Sequence, residues 1–340
     1  MSSTPLQDFR RALPGILISL VVIVILSFLV DWPEVLAAFR EVDLRFLALH
    51  GLLYMVSVAA RAMGARALLE DRPTFRDSFM IMMQGYLLNN VLPFRLGELG
   101  RAYLLGRKIK TRTFFTLPAV VIERAYDLAF AALIVVSTLP FVFGDVDWAR
   151  PVATTSLVLV IAGLLSLHLA ARFRVPLRRW VDVAAGRVPL IERFILPRID
   201  SFLDGLAVLT SLKSFSVSLA WMALAWLLAI ANQYALLLGF LSDAAPLYST
   251  FALGISSFGG AIPSAPSGLG VYHAAVVVAF GVVGISSGIA LAFATTHHAM
   301  HFIYSGIFGM IAFSREGESL MGMYEKLTSK KNVEEMSDVP

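Results

Sequence analysis

The chain has 340 residues, 58% of them hydrophobic and 15% charged, with a formal net charge of +4 and no cysteine. Soluble domains lie nearer 45–50% apolar and about 25% charged, so a single soluble core is excluded. The lack of cysteine excludes disulfides, thiolate metal sites and cysteine nucleophiles.

A spanning helix needs roughly 20 mostly apolar residues. The first apolar run, 13–31, follows Arg10 and Arg11. It exceeds the roughly 7–15-residue core of a signal peptide and reads as a retained first span. The run 44–65 is the second. The stretch 78–105 differs, because Asn89, Asn90, Pro93 and Gly97 interrupt its middle. It reads as two short helices joined by a broken connection. Spans 115–141, 151–171 and 215–241 follow, then a second broken stretch at 249–283 carrying Gly259, Gly260, Pro263, Pro266, Gly268 and Gly270. A last span covers 286–313. The predicted fold class is an all-α integral membrane protein with six spanning helices and two re-entrant hairpins, the alternative being eight spans.

Lys and Arg gather in cytoplasmic loops. Arg10 and Arg11, then Arg66, Arg72 and Arg76, then Arg107, Lys108, Lys110 and Arg112, then the arginine-rich region 172–213 mark that side. Asp145, Asp147 and Asp243 mark the other. The assignments close if 78–105 enters and leaves from the cytoplasm and 249–283 from outside. Each half is then span, span, hairpin, span, in opposite orientations, as in the inverted repeats of transporters. The predicted division is a cytoplasmic N-terminus at 1–12, membrane repeats at 13–141 and 151–313, and a cytoplasmic tail at 314–340. That tail is charged and expected to lack order. Within 187–213, Leu190, Ile191, Phe194, Ile195, Ile199, Phe202, Leu203, Leu206 and Leu209 recur at helical spacing. They predict an amphipathic helix, either on the inner membrane face beside Arg172, Arg174, Arg178, Arg179 and Trp180 or packed on the protein itself.

Charged groups inside a bilayer face a cavity or pair with each other. The densest cluster is Asn89, Asn90, Arg95, Glu98 and Arg101. A helix starting after Pro93 would aim its free amides at the hairpin tip, a site suited to a phosphate held also by Arg95 and Arg101. An internal Glu98–Arg101 pair is the plainer reading. Glu123 and Asp127 share a helix face, with Arg124 offset between them. These three either line a cavity or pair with the hairpin, Arg124 neutralising Glu98. His297, His298 and His301 lie at helical spacing but lack the neighbouring glutamate of a zinc-protease helix. They read as a polar cavity wall or a proton-responsive group, with His273 facing the same cavity, and no metal is expected. His50 and His168 read as packing or interfacial residues. No phosphate-binding nucleotide loop and no serine-nucleophile elbow is present, which argues against an intrinsic ATPase or hydrolase.

The run Leu88-Asn89-Asn90-Val91-Leu92-Pro93-Phe94-Arg95-Leu96-Gly97-Glu98-Leu99-Gly100-Arg101-Ala102 resembles the first signature of the lysylphosphatidylglycerol synthase transmembrane, flippase-like family. Glu123-Arg124 followed by Asp127 is similar to its next signature. Ile262-Pro263-Ser264-Ala265-Pro266-Ser267-Gly268-Leu269-Gly270-Val271-Tyr272 is similar to its C-terminal one. The family has an acidic residue soon after that motif, where this chain has His273, so no acid-dependent role carries over.

The resemblance implies a multi-pass protein of the bacterial inner membrane, both termini cytoplasmic, that translocates an aminoacyl-phospholipid, a polyprenyl-linked lipid or a hopanoid. The aminoacyltransferase domain of some members is not seen after residue 313. A separate lipid-modifying enzyme is therefore expected as partner, with no cofactor and no nucleic acid. Expected substrate contacts are Asn89, Asn90, Arg95, Glu98, Arg101, Glu123, Arg124, Asp127, Ser267, Tyr272, His273, His297 and His301. The alternatives are an accessory protein presenting a lipid-linked intermediate to a glycosyltransferase, a small-solute transporter, or an intramembrane enzyme using Glu98, Glu123 or the histidines.

Overall fold

The computed structural model describes residues 17, 20–21, 23–92, 96–144, 149–188, 192, 195–259 and 266–328, and these contain helices and no strand. Helical backbone at 23–29 is followed by α1 (Trp32–Glu41), α2 (Leu44–Leu68), α3 (Phe75–Val91), α4 (Leu96–Lys108) and α5 (Thr113–Phe143). Then come α6 (Ala149–Arg172), α7 (Arg174–Ala185), α8 (Leu196–Leu206) and α9 (Leu212–Phe240). The chain continues with α10 (Pro246–Gly259), α11 (Val271–Val282), α12 (Ser287–Arg315) and α13 (Leu320–Thr328). Side-chain caps set several starts: Asp31, Asp43, Thr74, Ser211 and Ser286 each accept an amide N–H from the first turn that follows.

Among the described residues four helices are long and apolar enough to cross a membrane: α2, α5, Thr154–Arg172 within α6, and α9. The chain is a multi-pass membrane protein. Helix α12 is as long as α9, at 29 residues, but His297, His298 and His301 lower its apolarity. Helix α6 is the peripheral span: Val158, Leu159, Ile161 and Leu165 are all exposed, a surface fit for lipid.

Helices α2 and α9 form the central seam and run antiparallel. The Asp43 amide donates to the Gly239 carbonyl, the His50 ring meets the Asn232 carbonyl, and the Ser57 hydroxyl donates to the Ala225 carbonyl. A side chain at Gly64 would press on Ser218 and Met222. The contacts step by seven residues on each strand of the seam, the spacing of coiled-coil packing. The residues are small or polar, as where helices approach closely in lipid.

The two interrupted stretches are helix pairs. Helices α3 and α4 have 17 and 13 residues, so about 25 and 20 Å at 1.5 Å per residue, each short of a ~30 Å hydrocarbon layer. Their outer ends meet, with Lys108 Nζ 2.9 Å from Asp77 Oδ1. Helices α10 and α11 are shorter still, at 14 and 12 residues, and pack on each other. Each pair also packs on the other half's long helix: α3 on α12, and α10 on α5. The short helices before the seam repeat the exchange, α1 lying on α12 and α8 on α5.

Of the two placements left open for the amphipathic stretch within 187–213, the described residues follow the one packed on the protein itself. Helix α8 and the 3-10 turn Ala207–Thr210 bury Leu203, Leu206, Val208 and Leu209 in the main core, and Gly205 seats closely on the Phe115 backbone. Of that sequence pattern, Leu190, Ile191 and Phe194 lie outside the described residues. The exposed amphipathic piece is instead α7, where Val175, Trp180 and Val183 face outward.

The expected lack of order in the tail needs correction, because Leu320–Thr328 forms helix α13. Leu320, Met323, Tyr324 and Leu327 form an apolar stripe on α13 that joins the core, while its Lys326 binds Glu318. Glu318 pairs with Arg107 at the end of α4 and with Lys326 Nζ at 2.7 Å. Burial alone would raise the Glu318 carboxyl, but Lys326 and Arg107 hold it below the ordinary glutamate value. A depressed folded value gives stability that is present above the ordinary value, about 4.3, and lost as pH falls through the folded one. Hydrogen exchange at 320–328 should therefore stay slow at pH 7 and accelerate in strong acid before that of α4 does. Equal acceleration of both helices would contradict the latch.

Candidate functional site

The first helix pair is held together by glycine. A Cβ at Gly85 would collide with Arg101, one at Gly97 with the Gly85 carbonyl, and one at Gly100 with Leu88. The close approach lets Asn89 Oδ1 accept the Gly97 amide at 2.9 Å, capping α4 from within the pair. One amide at that N-terminus is thus already bound. Arg95, predicted to add a phosphate contact there, lies outside the described residues.

From this cap runs a ladder of alternating charge. Asn89 Nδ2 donates to Glu98 at 3.4 Å, and Glu98 lies 3.6 Å from Arg101 and 3.5 Å from Arg124. Arg101 Nη2 donates to both oxygens of Glu123, at 2.8 and 3.0 Å. Arg124 reaches Asp127 at 3.1 Å, and Asp127 also takes a two-pronged Arg61 at 2.5 and 3.1 Å and the Trp226 indole at 3.1 Å. Three arginines face three carboxylates, so the ladder is formally neutral. Its members differ in exposure. Arg101 and Glu123 are 1% and 0% exposed, whereas the Arg124 side chain is 32% exposed. Nε and Nη1 of Arg101 and Nε and Nη2 of Arg124 have no hydrogen-bond partner in the protein.

A second network lies beside the first. Ser267 Oγ donates to Asn90 Oδ1 at 2.9 Å, so His298 Nε2, 2.7 Å away, must donate to the serine. Asn90 Nδ2 donates to Ser305 at 2.8 Å and approaches His301 Nδ1 at 3.4 Å. His297 Nε2 meets the Gln233 amide at 3.3 Å, its ring 5.2 Å from that of His50. Tyr272 packs edge-on to His273 and His298, and Tyr54 and Tyr86 border His301. Among the described residues no group of three or more His, Asp or Glu is placed to hold a metal ion.

Ser267 holds a left-handed φ of +62°, next to Gly268 at +73°. Such backbone costs a non-glycine residue about 1–2 kcal/mol. Ser267→Ala should therefore melt lower than Ser267→Gly, by about 1 kcal/mol, since both lose the hydroxyl and only alanine keeps the strain. Equal melting temperatures in detergent would show that the hydroxyl's bonds, not the backbone, govern this position.

The predicted residues thus fall into two adjoining networks. Glu98, Arg101, Glu123, Arg124 and Asp127 form one, Ser267, Tyr272, His273, His297 and His301 surround the other, and the neighbours Asn89 and Asn90 connect them. Sequence reasoning missed Arg61, Trp226, Gln233 and Ser305. Arg61 was visible as a lone charge inside an apolar span, a costly placement that implies a partner. His168 is exposed and belongs to neither network.

Comparison with known proteins gives a consistent picture. The family described as Lysylphosphatidylglycerol synthase TM region matches residues 15–309. The chain is 24% identical over 335 residues to "Glycosyltransferase AglD" of Haloferax volcanii, covering 84% of this chain but 51% of that protein. It is 23% identical over 269 residues to a "UPF0104 membrane protein" of Methanothermobacter thermautotrophicus, covering 75% of this chain and 79% of that one. The chain thus spans about half the length of the glycosyltransferase it matches. No solved structure matches the chain.

Proposed function

The chain belongs to the lysylphosphatidylglycerol synthase transmembrane family, and from that premise we propose that it moves an anionic lipid headgroup across the cytoplasmic membrane. One observation carries the reading: Asn89 and Asn90, at the break between α3 and α4, tie the charge ladder to Ser267 at the other break. Transporters bind substrates where broken helices meet near the midplane. Arg124 is the most exposed guanidinium of the ladder, its side chain 32% accessible, and a guanidinium suits phosphate oxygens. The acyl chains would remain in the bilayer while the headgroup crosses.

The proposed architecture is an inverted repeat of six spans and two re-entrant pairs, with both termini cytoplasmic. The antiparallel α2–α9 seam supports it, as do the exchanged contacts α3–α12 and α10–α5 and the Asp77–Lys108 bridge joining both ends of one pair.

The test uses proteoliposomes containing a fluorescent phosphatidylglycerol and, separately, a neutral diacylglycerol analogue. Wild type should speed exchange of the phospholipid, and Arg124→Gln should abolish that acceleration while leaving the melting profile cooperative. Unchanged phospholipid exchange in Arg124→Gln would sink the headgroup assignment. The glycosyltransferase relative favours a second reading, in which a lipid-linked intermediate is held for a separate enzyme. That reading requires a partner to co-purify through the exposed α7 face, and charge reversal at Arg179 would release it.

A further inference from the structure

A cavity of about 320 Å³ opens on the side of the bundle between the helical residues 23–29, α1, α11 and α12. Its walls are almost wholly apolar, among them Leu26, Val35, Phe39, Leu269 and Leu291. That volume is within the roughly 300–1,000 Å³ usual for small-molecule sites. Its rim is exposed: Ile23 and Trp32 stand 43% and 49% accessible. The rim merges with Val24, Ile25, Phe28 and Leu29, an apolar surface that on a membrane span faces hydrocarbon. One side of the cavity is different. His273 and Gly270 line it there, and the His273 ring lies 5.1 Å from that of His298. His298 is buried, gives Nε2 to Ser267, and has no hydrogen-bond partner at Nδ1.

From this placement we infer that the groove is a binding site for one hydrocarbon tail of a membrane lipid, whose polar end lies at His273 beside the Ser267–His298 network. The groove is continuous with the lipid-facing surface, so an acyl or isoprenoid tail enters sideways without crossing water. An apolar wall ending on histidines beside an unpartnered buried nitrogen matches a molecule that is apolar along its length and polar at one end. The site deepens the lipid reading and rests on it for its substrate class. Helix break and groove share Gly270, whose φ of +83° turns the chain into α11. A tail in the groove would therefore register directly at the second break.

The test is photocrosslinking in nanodiscs with a phosphatidylglycerol carrying a diazirine at the end of one acyl chain. Adducts should concentrate on Leu26, Leu269 and Leu291 above the level at Phe28, which any surrounding lipid touches. Ser27→Trp, and independently Leu291→Phe, should fill the groove and abolish those adducts while Phe28 labelling persists. Groove labelling no denser than at Phe28, or labelling that survives both variants when each still melts cooperatively, overturns the site. A native-mass dimer lost in Ser27→Trp would give the groove to a second copy and also overturn it. Groove adducts without headgroup exchange in wild type would leave the tail site standing and remove the translocation reading, whereas exchange without adducts would do the reverse.

Discussion

Arg101→Ala is expected to destabilise the folded protein by about 3–5 kcal/mol, the usual cost of removing one member of a buried ion pair. Arg101 and Glu123 are almost wholly enclosed, and Arg101 donates twice to the carboxylate at 2.8 and 3.0 Å. Truncation leaves Glu123 and Glu98 to share Arg124, which already serves Asp127. Water cannot compensate at a site with no exposure. Arg101→Lys should lie between the two, because an ammonium keeps the charge but loses the planar fork that meets both oxygens. The double variant Arg101→Met with Glu123→Leu should cost less than the sum of the single changes, since a neutral apolar pair leaves no uncompensated charge. Thermal unfolding in detergent, followed by tryptophan fluorescence, measures wild type, Arg101→Ala, Arg101→Lys, the single variants Arg101→Met and Glu123→Leu, and the double variant. Additive losses in the double variant would mean that the pair is not coupled, and the ladder would then be a set of separate contacts. Loss of lipid exchange in Arg101→Ala would not by itself assign substrate binding to Arg101, since the same change loosens the helix pair. Arg124, the most exposed guanidinium of the ladder, is the position where binding and folding separate.

The placement of the long helices was legible because hydrophobic length is a local property. The bounds read from apolar runs fall close to those of α2, α5, α9 and α12. Both breaks were legible for the same reason: Pro93 after Asn89-Asn90, and glycine and proline around 259–270, cannot continue a helix in lipid without other partners. Relations between distant segments were not legible. His50 read as a packing or interfacial residue and is buried, but nothing near it in sequence names Asn232 as its partner. The seven-residue steps of the seam are visible only once α2 and α9 are set side by side. Ser267 was expected as a substrate contact, but nothing near it in sequence names its partners. Its left-handed backbone and its bonds to Asn90 and His298 depend on where the second break lands against the first. The tail misled in the opposite way. Its charges suggested a solvated segment, although Leu320, Met323, Tyr324 and Leu327 already stood at helical spacing.

Gly97→Ala should be the most damaging single methyl in the first helix pair. Alanine normally favours a helix over glycine by about 1 kcal/mol, so the local preference alone predicts a gain. At Gly97 the added carbon would run into the Gly85 carbonyl and sit 2.5 Å from Asn89 Oδ1. The first obstacle is backbone in the interior of α3, which cannot rotate away as a side-chain tip can. The helices must therefore separate, at a net cost of about 1–3 kcal/mol for overpacking. Separation also breaks the Asn89 cap on the Gly97 amide and draws Glu98 away from Asn89. Gly306→Ala in α12 is the matched control, because a carbon added there meets nothing within 4 Å. It should be neutral or stabilising by up to about 1 kcal/mol. The opposite signs, read as melting shifts of the two variants in the same detergent, separate a packing effect from a general response to glycine replacement. If both variants shifted alike, close approach of α3 and α4 would not be what holds the ladder in register, and the link from that helix pair to the buried charges would have to run through Arg101 alone.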